Sequence, residues 1–425
     1  MKGKFGIQGS RQLLAKNTLW MTIGLLIRAI LQIAYFLIVA RTLKPAEYGT
    51  FAGVLALVTV LSPFVSWGSG NILVEHVSRQ PDQFKSYWGM ALSVSILSAL
   101  LLCLISFGIA ILIFSVKIAL YLVIPISIGT FWGEGFANLA GQAFQAHQKL
   151  SRTAFLNVSV GIFRLIGALL LVLSISKTAG NWSIFYMVSG LFSGTLGLIW
   201  VGYELGWGKL GMKLMHEKWA EGFYFAIGIS AQGTYNDIDK TLLSRLSTNS
   251  IAGLYTAAYR IIDASFMPMS AVLSSTYPNF FKKGEKGIKG TSEFALKLLP
   301  WAVGWGAIAM VGIILCAPLL PLILGKDYAE TSSILLWLSP IPLFRSFHYL
   351  AADSLTGSGY QKYRSGFQIG IALLNLILNL WWIPLYGWIG AARSSLISDG
   401  LLAVCLWGLT FAIINAQKKA LPGRL

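Results

Sequence analysis

The sequence predicts an all-α integral membrane protein of about twelve transmembrane helices in two six-helix bundles. Three observations lead there. Hydrophobic residues make up 56% of the chain and charged residues 12%, with a mean hydropathy of +0.68; a soluble chain of 425 residues needs a far more polar surface. Apolar runs of roughly twenty residues, enough to cross about 30 Å of hydrocarbon, recur about twelve times. The start of the chain also recurs half-way along. Arg41 and Gly49 in ARTLKPAEYGTF return at the same spacing as Arg245 and Gly253 in SRLSTNSIAGLY, Trp20 falls on Tyr224, Phe51 on Tyr255, and Pro63 within one residue of Pro268. Both copies run from inside to outside and back, which is a parallel repeat about an axis along the membrane normal. The expected division is a first bundle at 1–205, a basic cytoplasmic linker at 206–221 and a second bundle at 222–425.

The spans run in order. Asn17–Ala40 carries Arg28, Gln32 and Tyr35 on one helical face. Phe51–Val74 contains Pro63, a candidate bending point. Tyr87–Phe114 is apolar throughout. Ile118–Phe144 carries Glu134, Asn138 and Gln142 at helical spacing in the glycine-rich stretch Gly129–Gly141. Thr153–Ile175 carries Asn157, Gly161 and Arg164, and Ile184–Glu204 completes the first half. In the second half, Gly222–Ser244 holds Ser230, Thr234, Asp237 and Thr241 on one face, with Asp239 beside it. Ile251–Phe281 offers Tyr255, Tyr259, Arg260 and Asp263, with Pro268 as the second bending point. Phe294–Ala317 is apolar except for Lys297. Ser333–Leu355 offers Arg345, His348, Tyr349 and Asp353; Phe367–Ile383 offers Gln368, Asn375 and Asn379; Trp388–Ile414 has Arg393 and Asp399.

Lysine and arginine set the orientation. With the N-terminus in the cytoplasm, inside segments hold Lys2, Lys4, Arg11, Lys16, Arg79, Lys85, Lys149, Arg152 and the basic stretches at 209–218, 282–297, 362–364 and 418–424. Outside segments hold only Arg41, Lys44, Lys117, Lys177, Arg245 and Lys326. An even helix count returns the C-terminus to the cytoplasm. The opening MKGKFGIQGSRQ is basic and polar, and the run after it is too long for a signal-peptide core. The net charge of +17 therefore reads as membrane topology, not as a nucleic-acid surface. Cys103, Cys316 and Cys405 sit in apolar runs without metal or disulfide spacing. No Walker loop or Ser-His-Asp arrangement stands out, so neither an enzyme nor a cofactor is expected. Short outer connections also disfavour a membrane glycosyltransferase or polymerase.

Charges inside the spans carry the functional reading, because each is costly unless it meets a partner or a wet cavity. Polar stripes on so many helices fit one central polar lumen; hydrogen bonds that lock helices together are the alternative. Asp237 with Lys240 and Arg260 with Asp263 are spaced to pair locally. Arg28 and Arg164 have no acid nearby in sequence and lie about 18 Å deep, roughly twelve residues from their cytoplasmic ends. They are the leading candidates for an anionic ligand, since a guanidinium fork suits phosphate. Arg28, Arg164 and Arg260 are expected to face one cavity, with Arg345 and the rings of Tyr35, Tyr255, Tyr259 and Tyr349 along the path. Asp237, Glu134, Asp263 and Asp353 are candidates for a coupling ion; a paired carboxylate is the alternative for Asp237 and Asp263. His348 reads as a core hydrogen bond.

These motifs resemble the polysaccharide transporters of the multidrug/oligosaccharidyl-lipid/polysaccharide exporter superfamily, the O-antigen flippase type. The resemblance rests on Asn17 before the first helix, ARTLKPAEYGTF, the NDIDKTLL and AGLYTAAYRI stretches within Asn236–Ile261, LGKDYAETSSILLWL, and LNLILNLWWIPLYGWIGAA with its NxxLN and YGxxGAA patterns. It implies two bundles in a V with a central cavity that opens alternately to each side. It implies that the cargo is an oligosaccharide on undecaprenyl pyrophosphate, moved from the cytoplasmic to the periplasmic leaflet of the bacterial inner membrane. Arg28 and Arg260 match the kinds of position held to grip the pyrophosphate; Arg164 and Arg345 rest on depth alone. Membrane lipid is a further partner, and a polysaccharide polymerase or chain-length machinery is a candidate one. The competing reading in the same superfamily is a cation-coupled multidrug exporter, against which the intramembrane bases weigh.

Overall fold

The computed structural model describes residues 2–209 and 213–420. Every regular element is helical, with no strand among the described residues. The chain forms two compact units, Met1–Ser230 and Ala231–Leu425. The first contains α1 (Lys2–Leu61), α2 (Ser69–Arg79), α3 (Phe84–Ile113), α4 (Val116–Ala146), α5 (Leu150–Leu173), α6 (Ala179–Glu204) and the start of α7 (Lys213–Leu246). The second contains the rest of α7, then α8 (Asn249–Gly284), α9 (Gly287–Cys316), α10 (Thr331–Leu338), α11 (Ile341–Gly357), α12 (Gln361–Tyr386) and α13 (Trp388–Ala420). The division between these compact units falls within α7, after Ser230.

Among the described residues, eight stretches are long and apolar enough to cross a membrane, so the chain is a multi-pass membrane protein. The sequence marks α7 and α8 as spans too, but neither is among the eight. Asp237, Asp239 and Lys240 on one, and Arg260 and Asp263 on the other, lower their hydropathy. The expected tenth span, Ser333–Leu355, is divided between α10 and α11 at Ser339 and Pro340.

Helix breaks have local chemical causes. Within α1, Lys44 leaves the helix at φ 62 and ψ 169, because the ring of Pro45 disfavours a helical residue before it. In the register of the sequence repeat, Thr248 occupies the same place in the second half. There the chain is extended, at φ -134 and ψ 152, and the Thr248 hydroxyl caps α8 by accepting from the Ile251 N–H at 3.2 Å. A second break separates α1 from α2. Pro63 has no N–H to give the Thr59 carbonyl, which accepts from the Ser62 hydroxyl at 2.8 Å instead. The Val60 carbonyl accepts from Ser230 at 2.7 Å. The chain then turns through Trp67 at φ 47 and Gly68 at φ 71. By contrast α8 passes unbroken through Pro268. The two prolines paired in the sequence as bending points therefore differ: a glycine comes within two turns of Pro63, and none comes after Pro268 before Gly284.

In the first unit α1 packs on α5, α5 on α6 and α6 on α4. The α4–α6 contact is made by glycines spaced four apart. A Cβ on Gly133 would overlap the backbone of Gly190, one on Gly190 that of Gly129, and one on Gly194 that of Gly133. Small residues at this spacing let two membrane helices approach backbone to backbone. α4 also contains two π-helical stretches, Ala119–Val123 and Ile128–Glu134, and the second ends on Glu134. Such widened turns are frequent at functional sites. In the second unit α8 packs on α9, α10 and α11, α11 on α9 and α13, and α12 on α13.

Replacing Gly190 by leucine should separate α4 from α6 and lower stability by at least about 1–3 kcal/mol. Thermal unfolding of the purified protein measures this; an unchanged midpoint would contradict the close contact.

Candidate functional site

Each unit encloses a cluster of ionised side chains. In the first, the short α4–α6 distance brings Glu134 beside α5 and α6. The Arg164 guanidinium donates to Glu134 Oε1 at 2.6 Å, to Ser189 Oγ at 2.7 Å and to the Tyr186 carbonyl. It also stacks on the Tyr186 ring. The Tyr186 hydroxyl donates to Glu134 Oε1 at 3.1 Å. Arg28 on α1 donates to Asn157 Oδ1 at 3.1 Å. Its charge acts on Glu134, but among the described residues no carboxylate forms an ion pair with it. Two guanidinium groups thus face one carboxylate, and the cluster carries one positive charge in excess. Tyr35, two turns along α1, lies half-buried with its ring centroid 6.5 Å from that of Trp182.

The second cluster joins α7, α8, α11 and α13. Arg345 donates to Asp263 Oδ1 at 2.8 Å and to Asn236 Oδ1 at 3.1 Å. Lys240 donates to Asp237 Oδ1 at 2.5 Å and to the Asn236 carbonyl at 2.8 Å, over the Tyr259 ring at 4.4 Å. Arg260 adds its charge near Asp263. Asp239 is fully buried, accepting from the Lys240 N–H at 2.8 Å and the Ser395 hydroxyl at 3.2 Å. His348 meets Asp399 at 3.2 Å. Tyr255 and Tyr259 lie in the interior; Tyr255 bonds Ser395 at 3.3 Å. Their ring faces are packed against neighbours, not turned to an open surface. Tyr349 and Asp353 instead line an open cleft of about 400 Å³ with Phe266, Tyr277 and Arg364, and Arg364 lies 3.8 Å from Asp353.

The three mid-helix pairs share a polarity. The side chains of Arg164, Lys240 and Arg345 are 2%, 7% and 7% exposed, whereas those of Glu134, Asp237 and Asp263 are 29%, 31% and 38% exposed. The bases are held behind their carboxylates. Arg164, singled out by depth as a ligand for anions, is thereby committed to the protein, and Arg28 is the half-buried cation left over. Sequence reasoning did not find Tyr186 and Ser189, which complete the Arg164 cage. Their signal is the small-residue run SGLFSG at 189–194, which marks close helix approach. Nor did it find Asn236, which bridges the two pairs of the second unit.

Glu134→Gln leaves a buried guanidinium without its counter-charge, so stability should fall by about 3–5 kcal/mol. The double change with Arg164→Met should recover most of it. Chemical or thermal unfolding in detergent decides; equal losses in the single and double variants would contradict the pairing.

Known proteins resemble the chain along most of its length. Over 397 residues it is 23% identical to the capsular polysaccharide biosynthesis protein CapF of Staphylococcus aureus, covering 91% of this chain and 96% of CapF. Over 409 residues it is 22% identical to a protein assigned as an O-antigen transporter in Escherichia coli (strain K12), covering 92% of this chain and 94% of the relative. Among solved structures, the lipid II flippase MurJ in an inward closed conformation shares the fold, with a TM-score of 0.73 at 16% identity, over 92% of this chain and 87% of that one. Residues 14–283 match the polysaccharide biosynthesis protein family, and the chain belongs to that family.

Proposed function

We propose that the protein is a flippase that carries an oligosaccharide on undecaprenyl pyrophosphate from the cytoplasmic to the periplasmic leaflet of a bacterial inner membrane. The observation that carries this reading is the excess cation of the first unit. Arg28 lies on a membrane-spanning helix, and among the described residues its hydrogen-bond partner is a neutral amide. A half-buried guanidinium without a counter-charge is unfavourable in hydrocarbon unless water or an anion joins it. A pyrophosphate supplies the anion and matches the fork. The names of CapF, of the O-antigen transporter and of MurJ support a lipid-linked saccharide as cargo.

In this reading the helices make about twelve crossings in two six-helix bundles, both termini cytoplasmic. The breaks at Lys44 and Thr248, equivalent in the sequence repeat, are the first outer turns of each half. The lipid tail stays in the bilayer while the charged, hydroxyl-rich head group engages Arg28 in the first unit. Alternating access then moves the head group without exposing it to hydrocarbon. The energetics suit turnover: attraction in low dielectric is offset by desolvation of both ions, which leaves a few kcal/mol and permits release.

Proteoliposomes loaded with a fluorescent oligosaccharide on undecaprenyl pyrophosphate test the proposal. Arg28→Ala should slow transfer between leaflets at least about tenfold, the cost of one charge-assisted hydrogen-bond set. Arg28→Lys should fall between, keeping charge but losing the fork. Wild-type rates in both variants would contradict the assignment. So would a deletion strain with normal surface polysaccharide and new sensitivity to cationic dyes.

A further inference from the structure

The break between α1 and α2 opens a cleft that the charge clusters do not use. Its volume is about 240 Å³, and its polar lining is Ser62, Ser66, Asn71, Asn138 and Gln142. Among the described residues, none that lines it is charged. It is smaller than the roughly 300–1,000 Å³ of drug-sized pockets, so it holds one ring rather than a chain.

Its hydrogen-bonding groups are arranged but not exhausted. Gln142 Nε2 donates to Asn71 Oδ1 at 3.1 Å. That leaves the Asn71 amide N–H as a donor, held in place by the shared bond, while the Gln142 carbonyl oxygen packs against Gly70. Asn138 is exposed and spends its amide on no other side chain among the described residues. The backbone is adapted as well. A side chain at Gly70 would overlap the Gln142 amide, so this glycine lets α2 close on α4. Trp67, a bulky residue, is held left-handed at φ 47. It is braced by Phe223, whose ring centroid lies 5.2 Å away, and by Phe64 at 5.6 Å. A bulky residue in that region costs on the order of 1–3 kcal/mol, a strain that clusters at ligand sites.

Position gives the cleft a meaning. Glu134, Asn138 and Gln142 succeed one another at four-residue steps, on one face of α4. Asn138 therefore stands about 6 Å and Gln142 about 12 Å along the helix from Glu134, toward the α5 connection. Arg28 acts on that same Glu134. A ligand whose phosphates engage Arg28 would place the group attached to them one or two helical turns further on.

We infer that this cleft is a subsite for a neutral pyranose of the cargo, the ring nearest the pyrophosphate. The inference rests on the flippase reading above. Paired amides and a hydroxyl suit sugar hydroxyl and acetamido groups, and an uncharged lining gives a charged sugar no counter-ion.

The test uses the full-length protein in lipid nanodiscs and two probes, undecaprenyl diphosphate and undecaprenyl-diphospho-N-acetylglucosamine. The wild type is expected to bind the glycosylated probe about three- to tenfold more tightly, the gain from one neutral hydrogen bond or slightly more. Asn138→Leu should abolish that gain and leave the bare probe unaffected; Ser66→Ala, a milder change, should reduce the gain. Arg28→Ala should weaken both probes alike. Equal wild-type affinities, or a full gain retained in Asn138→Leu, would overturn the subsite alone. A wild type that binds neither probe would overturn the flippase reading, and the subsite with it.

Discussion

A guanidinium inside a bilayer must satisfy five donors and one charge without bulk water. That requirement organises both units. Arg164 is caged by Glu134, Ser189 and the Tyr186 carbonyl, and Arg345 by Asp263 and Asn236. Lys240 is held by Asp237 and the Asn236 carbonyl. Each base comes from one helix and meets groups on the same or neighbouring helices, so neutralisation and helix packing are one event. A base that lost its carboxylate would face several kcal/mol of desolvation unanswered. The pairs thus act as locks on the bundle, and their carboxylates, not their bases, meet the water.

Arg28 departs from this rule, which is why it stands out as a site. Its partner is the neutral Asn157, and the nearby Glu134 is already committed to Arg164 and Tyr186. The geometry behind it is backbone chemistry. Gly129, Gly133, Gly190 and Gly194 bring α4 and α6 into direct contact, and a π-helical stretch ends at Glu134. One helix, α4, then carries both a carboxylate beside the excess cation and, further along the same face, the amides of the uncharged cleft. The proposed ligand, part phosphate and part sugar, would meet Arg28 of α1 with one part and the amides of α4 with the other.

Much of this was legible in the sequence, for identifiable reasons. Apolar run length shows membrane spans directly, and the helical spacing of Arg28, Gln32 and Tyr35 shows a polar face. The repeated break was also legible, because Pro45 and Thr248 are local signals. Partners were not. Glu134 and Arg164 are separated by 30 residues, and Asp263 and Arg345 by 82, so their pairing depends on which helices touch. Arg164 consequently looked as free as Arg28. Tyr255 and Tyr259 looked like sugar platforms because hydropathy does not say which face of a polar helix turns inward. Pro63 and Pro268 looked equivalent because the difference between them lies in a later glycine, Gly68, that only the first has close by.

The most direct measurement is an electron cryomicroscopy structure of the protein with undecaprenyl pyrophosphate bound. The account predicts phosphate density within hydrogen-bonding distance of the Arg28 guanidinium, with the Arg164–Glu134 and Arg345–Asp263 pairs intact. Phosphate held instead by Arg164 or Arg345, with its carboxylate displaced and Arg28 unoccupied, would contradict it.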